Sequence, residues 1–176
     1  MDPLLHLVIA LVLATLLLSA VIHKLADFAA FRQILGDYEV LPEALVAPGA
    51  VVVVGLELIF GVAWLTQFTP TAMIVGTVLL LACYTGVIAL NLARGRVHIS
   101  CVCGDNDGQP LSRWMLPRNL LLMAAALCAG LPAELRPLTL VDGLTAFAAV
   151  MAVTLIYLAI SQLLANAAAI RVWRES

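Results

Sequence analysis

Two cysteines separated by a single residue, in the run Cys101-Val102-Cys103-Gly104, make the sharpest chemical signature in the chain. A bridge between thiols this close is strained, because a disulfide restricts both the Cα separation and the torsion about the sulfurs. Strained, accessible disulfides are oxidising and exchange readily, and Gly104 gives the backbone the freedom that so tight a ring needs. The chemistry implied is thiolate attack through a mixed disulfide, one cysteine attacking and the other resolving. Arg96 and His98, close by in sequence, would favour the thiolate. The same segment supports a metal reading: His98, Cys101, Cys103 and Asp105 supply thiolate, imidazole and carboxylate ligands of the kind that suit Zn²⁺ or softer ions. Their spacing is not that of a standard zinc knuckle. The Asp-rich turn that follows is not a calcium loop, since Leu116 stands where the terminal bidentate Glu is required.

Three further residues could do chemistry from inside apolar runs. Glu57 interrupts a long hydrophobic stretch. Intramembrane carboxylates are costly and face a bundle interior, where they pair or relay protons, so either a functional role or a tie through Tyr84, Thr85 or Asn91 is expected. Cys83 and Cys128 fall at matching depths from the cysteine segment if their helices are antiparallel neighbours. They are a candidate second, buried redox pair, or simply small buried hydrophobes. His23 and Lys24 close the first apolar run, where a snorkelling lysine is the default explanation. No Ser-His-Asp arrangement, phosphate loop or dinucleotide fingerprint is present.

The elements that must position these residues follow from composition. Of 176 residues, 64% are hydrophobic and 11% charged, with a mean hydropathy of +1.09, whereas soluble domains carry about 25% charged residues. Lipid is the implied solvent. A net charge of −2 with no basic stripe argues against nucleic acid as a partner. Four cysteines in two distinct settings do not make a disulfide scaffold. The first apolar run is too long for a signal core and lacks a preceding basic residue, so it reads as a retained span.

The expected fold is therefore all-α, a transmembrane helical bundle forming a single domain. Spans are expected at 3–22, 45–66, 71–92, 118–135 and 143–170, with the redox loop at 94–117. Five crossings are the preferred count; four, with the short fourth run re-entrant, is the alternative. Between the first two spans, residues 25–41 alternate apolar and charged positions at helical spacing, which suits an interfacial amphipathic helix. With five crossings, Lys24, Arg32, Arg94, Arg96, Arg113, Arg118, Arg171 and Arg174 share one side against Arg136 on the other. The positive-inside rule then places the cysteine loop in the cytoplasm.

Lys24-Leu25-Ala26-Asp27-Phe28, Tyr38-Glu39-Val40-Leu41-Pro42, and Glu57 followed by Gly61 together resemble the family of the methylamine utilisation protein MauE and, more distantly, DoxX-like membrane proteins. The Cys-x-Cys-Gly loop followed by Arg118-Asn119 is similar to MauE specifically. One departure is that MauE-like chains often read Cys-x-Cys-Phe-Gly, whereas here Gly104 follows Cys103 directly. The resemblance implies a multi-pass protein of the bacterial cytoplasmic membrane that supports maturation of the disulfide-rich small subunit of methylamine dehydrogenase with a thioredoxin-like partner. No cofactor is implied by the reading, and neither a quinone-coupled oxidoreductase of the DsbB or vitamin K reductase kind nor a soft-metal transporter is set aside by it. The implied periplasmic substrate and the arginine bias point to opposite sides of the membrane. Conduction of reducing equivalents across it would reconcile them, as would a chain in which the positive-inside count does not set the orientation.

Overall fold

The computed structural model describes residues 1–68, 70–96, 111, 113–132, 137 and 139–175. Its helices are α1 (Pro3–Ala26), α2 (Phe28–Asp37), α3 (Glu43–Leu65), α4 (Thr71–Ala93), α5 (Met115–Ala129) and α6 (Leu140–Glu175), with no strand among the described residues. The starts obey capping chemistry. Asp2 accepts from the Leu4 amide at 2.8 Å ahead of Pro3, and Asp27 accepts from the Ala30 amide at 2.9 Å, so that one aspartate ends α1 and begins α2. Pro42 and Pro70 precede α3 and α4, where a missing amide donor costs the helix nothing.

Helices α1, α3 and α4, and α6 between Leu140 and Tyr157, are long and apolar enough to cross a bilayer, which makes this a multi-pass membrane protein. Helix α5 has 15 residues, about 22 Å at 1.5 Å per residue and short of the roughly 30 Å hydrocarbon layer. It nevertheless runs through the bundle from one end to the other. Met115 packs with Ile88 and Val21 at the end where α1 and α4 finish, while Ala126 and Ala129 pack with Ile74 and Ala10 at the opposite end. The Met1 ammonium donates to the Pro132 carbonyl at 2.6 Å, pinning the chain start to the exit of α5. Helix α6 then returns, bringing Tyr157 level with Arg118. The fourth run is thus a shorter helix than the expected 118–135, starting earlier and stopping at Ala129. Four of the described helices are long and apolar enough to cross a bilayer, and α5 is a shorter apolar helix packed among them.

The close seam is between α1 and α3. A Cβ on Gly61 would lie 2.8 Å from Leu18 Cδ2 and 2.9 Å from its Cγ, so the absence of a side chain here is what lets α1 approach. Trp64, fully buried, donates from Nε1 to Thr77 Oγ1 at 3.0 Å and ties α3 to α4.

The expected amphipathic segment resolves into α2 alone. Leu25 belongs to α1 and is exposed, while Phe31 and the capping residue Tyr38 turn inward to pack with Val21, Ala50 and Val54.

Candidate functional site

Each long helix presents one interior stripe to its neighbours, and the polar members of those stripes meet. On α1 the stripe is Ala10, Leu13, Leu17, Ala20, Val21 and Lys24; on α3 it includes Ala50, Val54, Glu57, Gly61 and Trp64. Helix α4 contributes Ile74, Thr77, Leu81, Ile88 and Asn91, with Tyr84 in the same register.

Lys24 and Glu57 are 3% and 1% exposed. Lys24 Nζ donates to Glu57 Oε1 in a fully buried ion pair. Tyr84 Oη donates to the same oxygen at 2.6 Å and accepts from Lys24 Nζ at 3.2 Å, closing a three-membered ring of hydrogen bonds. The ammonium also lies 5.2 Å from the Phe31 ring centroid and 5.1 Å from that of Tyr84, where the ring quadrupoles favour a cation. Glu57 Oε2 has no protein partner among the described residues.

This corrects the sequence expectation for Lys24. Helix α1 continues past residue 22 to Ala26, so Lys24 is the next interior position after Leu17, Ala20 and Val21 and cannot snorkel outward. Of the ties considered for Glu57, Tyr84 forms. Thr85 instead donates to the Leu81 carbonyl and Asn91 to that of Val87.

A cavity of about 60 Å³ adjoins the cluster. Its buried floor includes Glu57, Thr77 and Asn119, and its partly exposed rim includes Leu16, Arg118 and Tyr157. Arg118 donates to Tyr157 Oη at 2.8 Å and to Asn119 Oδ1 at 3.4 Å, and its guanidinium lies 5.7 Å from the Tyr157 ring centroid. Asn119 Nδ2, like Glu57 Oε2, has no protein partner among the described residues. Sequence reasoning did not assign Lys24, Arg118, Asn119 or Tyr157 to a site. The available signal was their place on the 3- and 4-residue interior stripes.

Cys101 and Cys103, together with the alternative ligands His98 and Asp105, lie outside the described residues; among the described residues no cluster of three His, Cys, Asp or Glu side chains could hold a metal. The residues on either side are placed. Helix α4 ends in a glycine cap: Gly95 takes φ +73°, its amide donates to the Leu92 carbonyl at 3.1 Å, and the Arg96 amide donates to that of Asn91 at 3.0 Å. That turn directs Arg96 Nη2 to Glu39 Oε2 at 2.5 Å. Glu39 has φ +48°, a left-handed conformation that few side chains other than Asn and Asp adopt. The Glu39 carboxyl is held below its ordinary pKa of 4.5, first by the hydrogen bond from Arg96 and then by the charges of Arg96 and Arg94; Arg96 is raised by the same contact. Arg96 is therefore engaged by Glu39, which alters its expected part in activating a thiol. On the far side, Leu111 is buried with Val21, Phe31 and Tyr38.

Cys83 and Cys128 are free thiols, and both are exposed on the outside of the bundle rather than buried within it. Helices α4 and α5 are packed together, but through Ile74, Leu80, Ile88, Met115, Ala126 and Ala129.

Comparison with known proteins places this arrangement. Residues 2–132 match the family model described as methylamine utilisation protein MauE. The chain is 34% identical over 173 residues to the methylamine utilization protein MauE of Paracoccus denitrificans, covering 92% of this chain and 88% of that one. It is 31% identical to the protein of that name from Methylophilus methylotrophus, covering 90% and 85%, and 32% identical to that of Methylorubrum extorquens, covering 71% and 68%. No solved structure matches.

Proposed function

We propose, for a chain that belongs to the family of the methylamine utilisation protein MauE, that it acts in methylamine utilisation as a thiol-disulfide exchange protein of the bacterial cytoplasmic membrane, with Cys101 and Cys103 as its redox pair. The observation that carries the reading is the anchoring of the residues flanking that pair. Arg96 is fixed to the α2–α3 connection through Glu39, and Leu111 is buried against α1 and α2. Both anchors stand at the end of the bundle where α1 and α4 finish, Arg96 partly exposed and Leu111 buried.

The exchange is a two-electron reaction. The thiolate of one cysteine attacks a sulfur of the partner's disulfide, that S–S bond breaks, and a mixed disulfide forms. The second thiolate then displaces the partner's sulfur, leaving Cys101 and Cys103 bridged and the partner as a dithiol with two protons taken up; the reverse sequence oxidises the partner. The partner is a thioredoxin-like protein, and the downstream beneficiary is the small subunit of methylamine dehydrogenase. Counted from the sequence, the arginines that flank the cysteine segment favour a cytoplasmic face for it.

A Cys103→Ser variant, expressed in cells that use methylamine, should accumulate a mixed disulfide that is released by reductant and contains a thioredoxin-fold protein. An impermeant thiol reagent added to intact spheroplasts of a Cys83→Ser/Cys128→Ser variant should leave the loop unlabelled. Absence of any mixed disulfide from both Cys101→Ser and Cys103→Ser, together with a metal bound at stoichiometric amounts in the purified chain, would replace the exchange reading with a metal-binding one.

A further inference from the structure

Glu57 and Asn119 come from different helices, each 1% exposed, and turn onto the same cavity. Glu57 Oε2 is an acceptor and Asn119 Nδ2 a donor, and neither has a protein partner among the described residues. Buried polar groups are satisfied in native proteins, by ordered water where no side chain serves. A single oxygen bearing hydrogens meets both needs at once, donating to the carboxylate and accepting from the amide.

The cavity volume of about 60 Å³ sets the size of the occupant. At roughly 10–15 Å³ per water it holds a few water molecules, and it falls well below the roughly 150 Å³ that admits a benzene ring. This size, with one unpartnered acceptor and one unpartnered donor on its wall among the described residues, suits water.

We propose that this cavity is a hydrated proton-transfer site with Glu57 as its proton carrier, independent of the redox reading of the cysteine segment. The two carboxylate oxygens have separate environments. Oε1 is held by Lys24 and by Tyr84, whereas Oε2 faces the cavity. Lys24 Nζ, Tyr84 Oη and Glu57 Oε1 form a continuous donor-to-acceptor chain. Glu57 takes a proton from a hydronium ion of the cavity water at Oε2, giving the carboxylic acid, and returns it to water from the same oxygen, while Oε1 keeps its hydrogen bonds from Lys24 and Tyr84. Intramembrane carboxylates that face water-filled cavities mark such relays. The titratable and charged groups around Glu57 are Lys24 from α1, Tyr84 from α4, Arg118 from α5 and Tyr157 from α6; α2 contributes the Phe31 ring.

Infrared difference spectroscopy on the full chain in lipid vesicles tests this. A pH titration should reveal a protonated carboxyl C=O band that is absent from Glu57→Gln and that shifts promptly on mixing with D₂O. Leu16→Phe and Leu122→Phe, which fill the cavity from its rim, should retain the band but slow its D₂O shift by an order of magnitude. Should Glu57→Gln fail to assemble, Tyr84→Phe keeps the carboxyl and removes the hydrogen bond to Oε1, so the band should move in frequency. Lack of a titrating carboxyl band at any pH where the chain stays folded overturns the proposal. So does a band unmoved by Tyr84→Phe, or D₂O exchange indifferent to filling the cavity, which would reduce the site to structural water.

Discussion

Removing one partner of the Lys24–Glu57 pair should cost far more than removing both. In the native bundle each charge lies within a site with about 2% side-chain exposure, so bulk water does not reach it, and the cavity beside Glu57 has room for only a few waters that do not replace a lost ion-pair partner. Glu57→Gln leaves an ammonium facing a neutral amide, with only the Tyr84 hydroxyl and the rings of Phe31 and Tyr84 nearby. Lys24→Met leaves a carboxylate whose described contact is the Tyr84 hydroxyl. Breaking a buried pair from one side costs about 3–5 kcal/mol, whereas replacing both members with neutral groups of similar volume is often close to neutral. At about 1.4 kcal/mol per factor of ten, each single variant should lose roughly two to three and a half orders of magnitude in its folding equilibrium. The double variant Lys24→Met/Glu57→Gln should lose about 2 kcal/mol or less, giving a coupling of several kcal/mol. Reversible unfolding in mixed micelles provides the measurement, with the fluorescence of Trp64 as reporter, since it is fully buried at the α3–α4 contact and bonded to Thr77. Single-variant losses that simply add in the double variant would refute the buried-pair argument, because independent sites are additive and coupled ones are not.

Gly61→Leu should separate α1 from α3, because even a Cβ there meets Leu18 at 2.8 Å. Since Gly61 is one turn from Glu57 on the same face, this variant should destabilise the bundle by about 1–3 kcal/mol or more and reduce the Lys24–Glu57 coupling in the same unfolding assay, whereas Gly55→Ala, where nothing lies within 4 Å of the added atom, should be tolerated. The Glu39–Arg96 tether should have a defined pH signature. Because the Glu39 carboxyl is depressed in the folded chain, its contribution is present above the ordinary carboxylate value and is lost as pH falls through the lowered one. Labelling of Cys101 and Cys103 by a pH-tolerant thiol reagent, compared between wild type and Glu39→Gln, should differ at neutral pH and low salt and converge in acid or at high ionic strength; equal rates under all conditions would remove Glu39 as an anchor of the segment.

Much of this protein was legible in the sequence because lipid as solvent leaves little choice. Uncharged runs of about 20 residues must become helices, since a backbone in hydrocarbon has to satisfy its own hydrogen bonds. The helical bundle, the cysteine segment between the third and fourth runs and the family resemblance all follow at that level, and Glu57 stands out because a carboxylate in such a run is costly. What the sequence could not reveal was which face of each helix turns inward. Helices that are apolar all round carry no amphipathic signal to fix their rotation. Lys24 therefore resembled a span-end lysine, and Arg118, Asn119 and Tyr157 resembled the edges of their runs. Cys83 and Cys128, expected at matching depth, are exposed in the structure, which the sequence could not show for the same reason. In the observed rotation Gly61 admits Leu18 of α1 and Lys24 meets its counter-charge at Glu57. The ion pair, the hydrogen-bond chain through Tyr84 and the cavity beside it are products of that packing, and so could be read only from the tertiary structure.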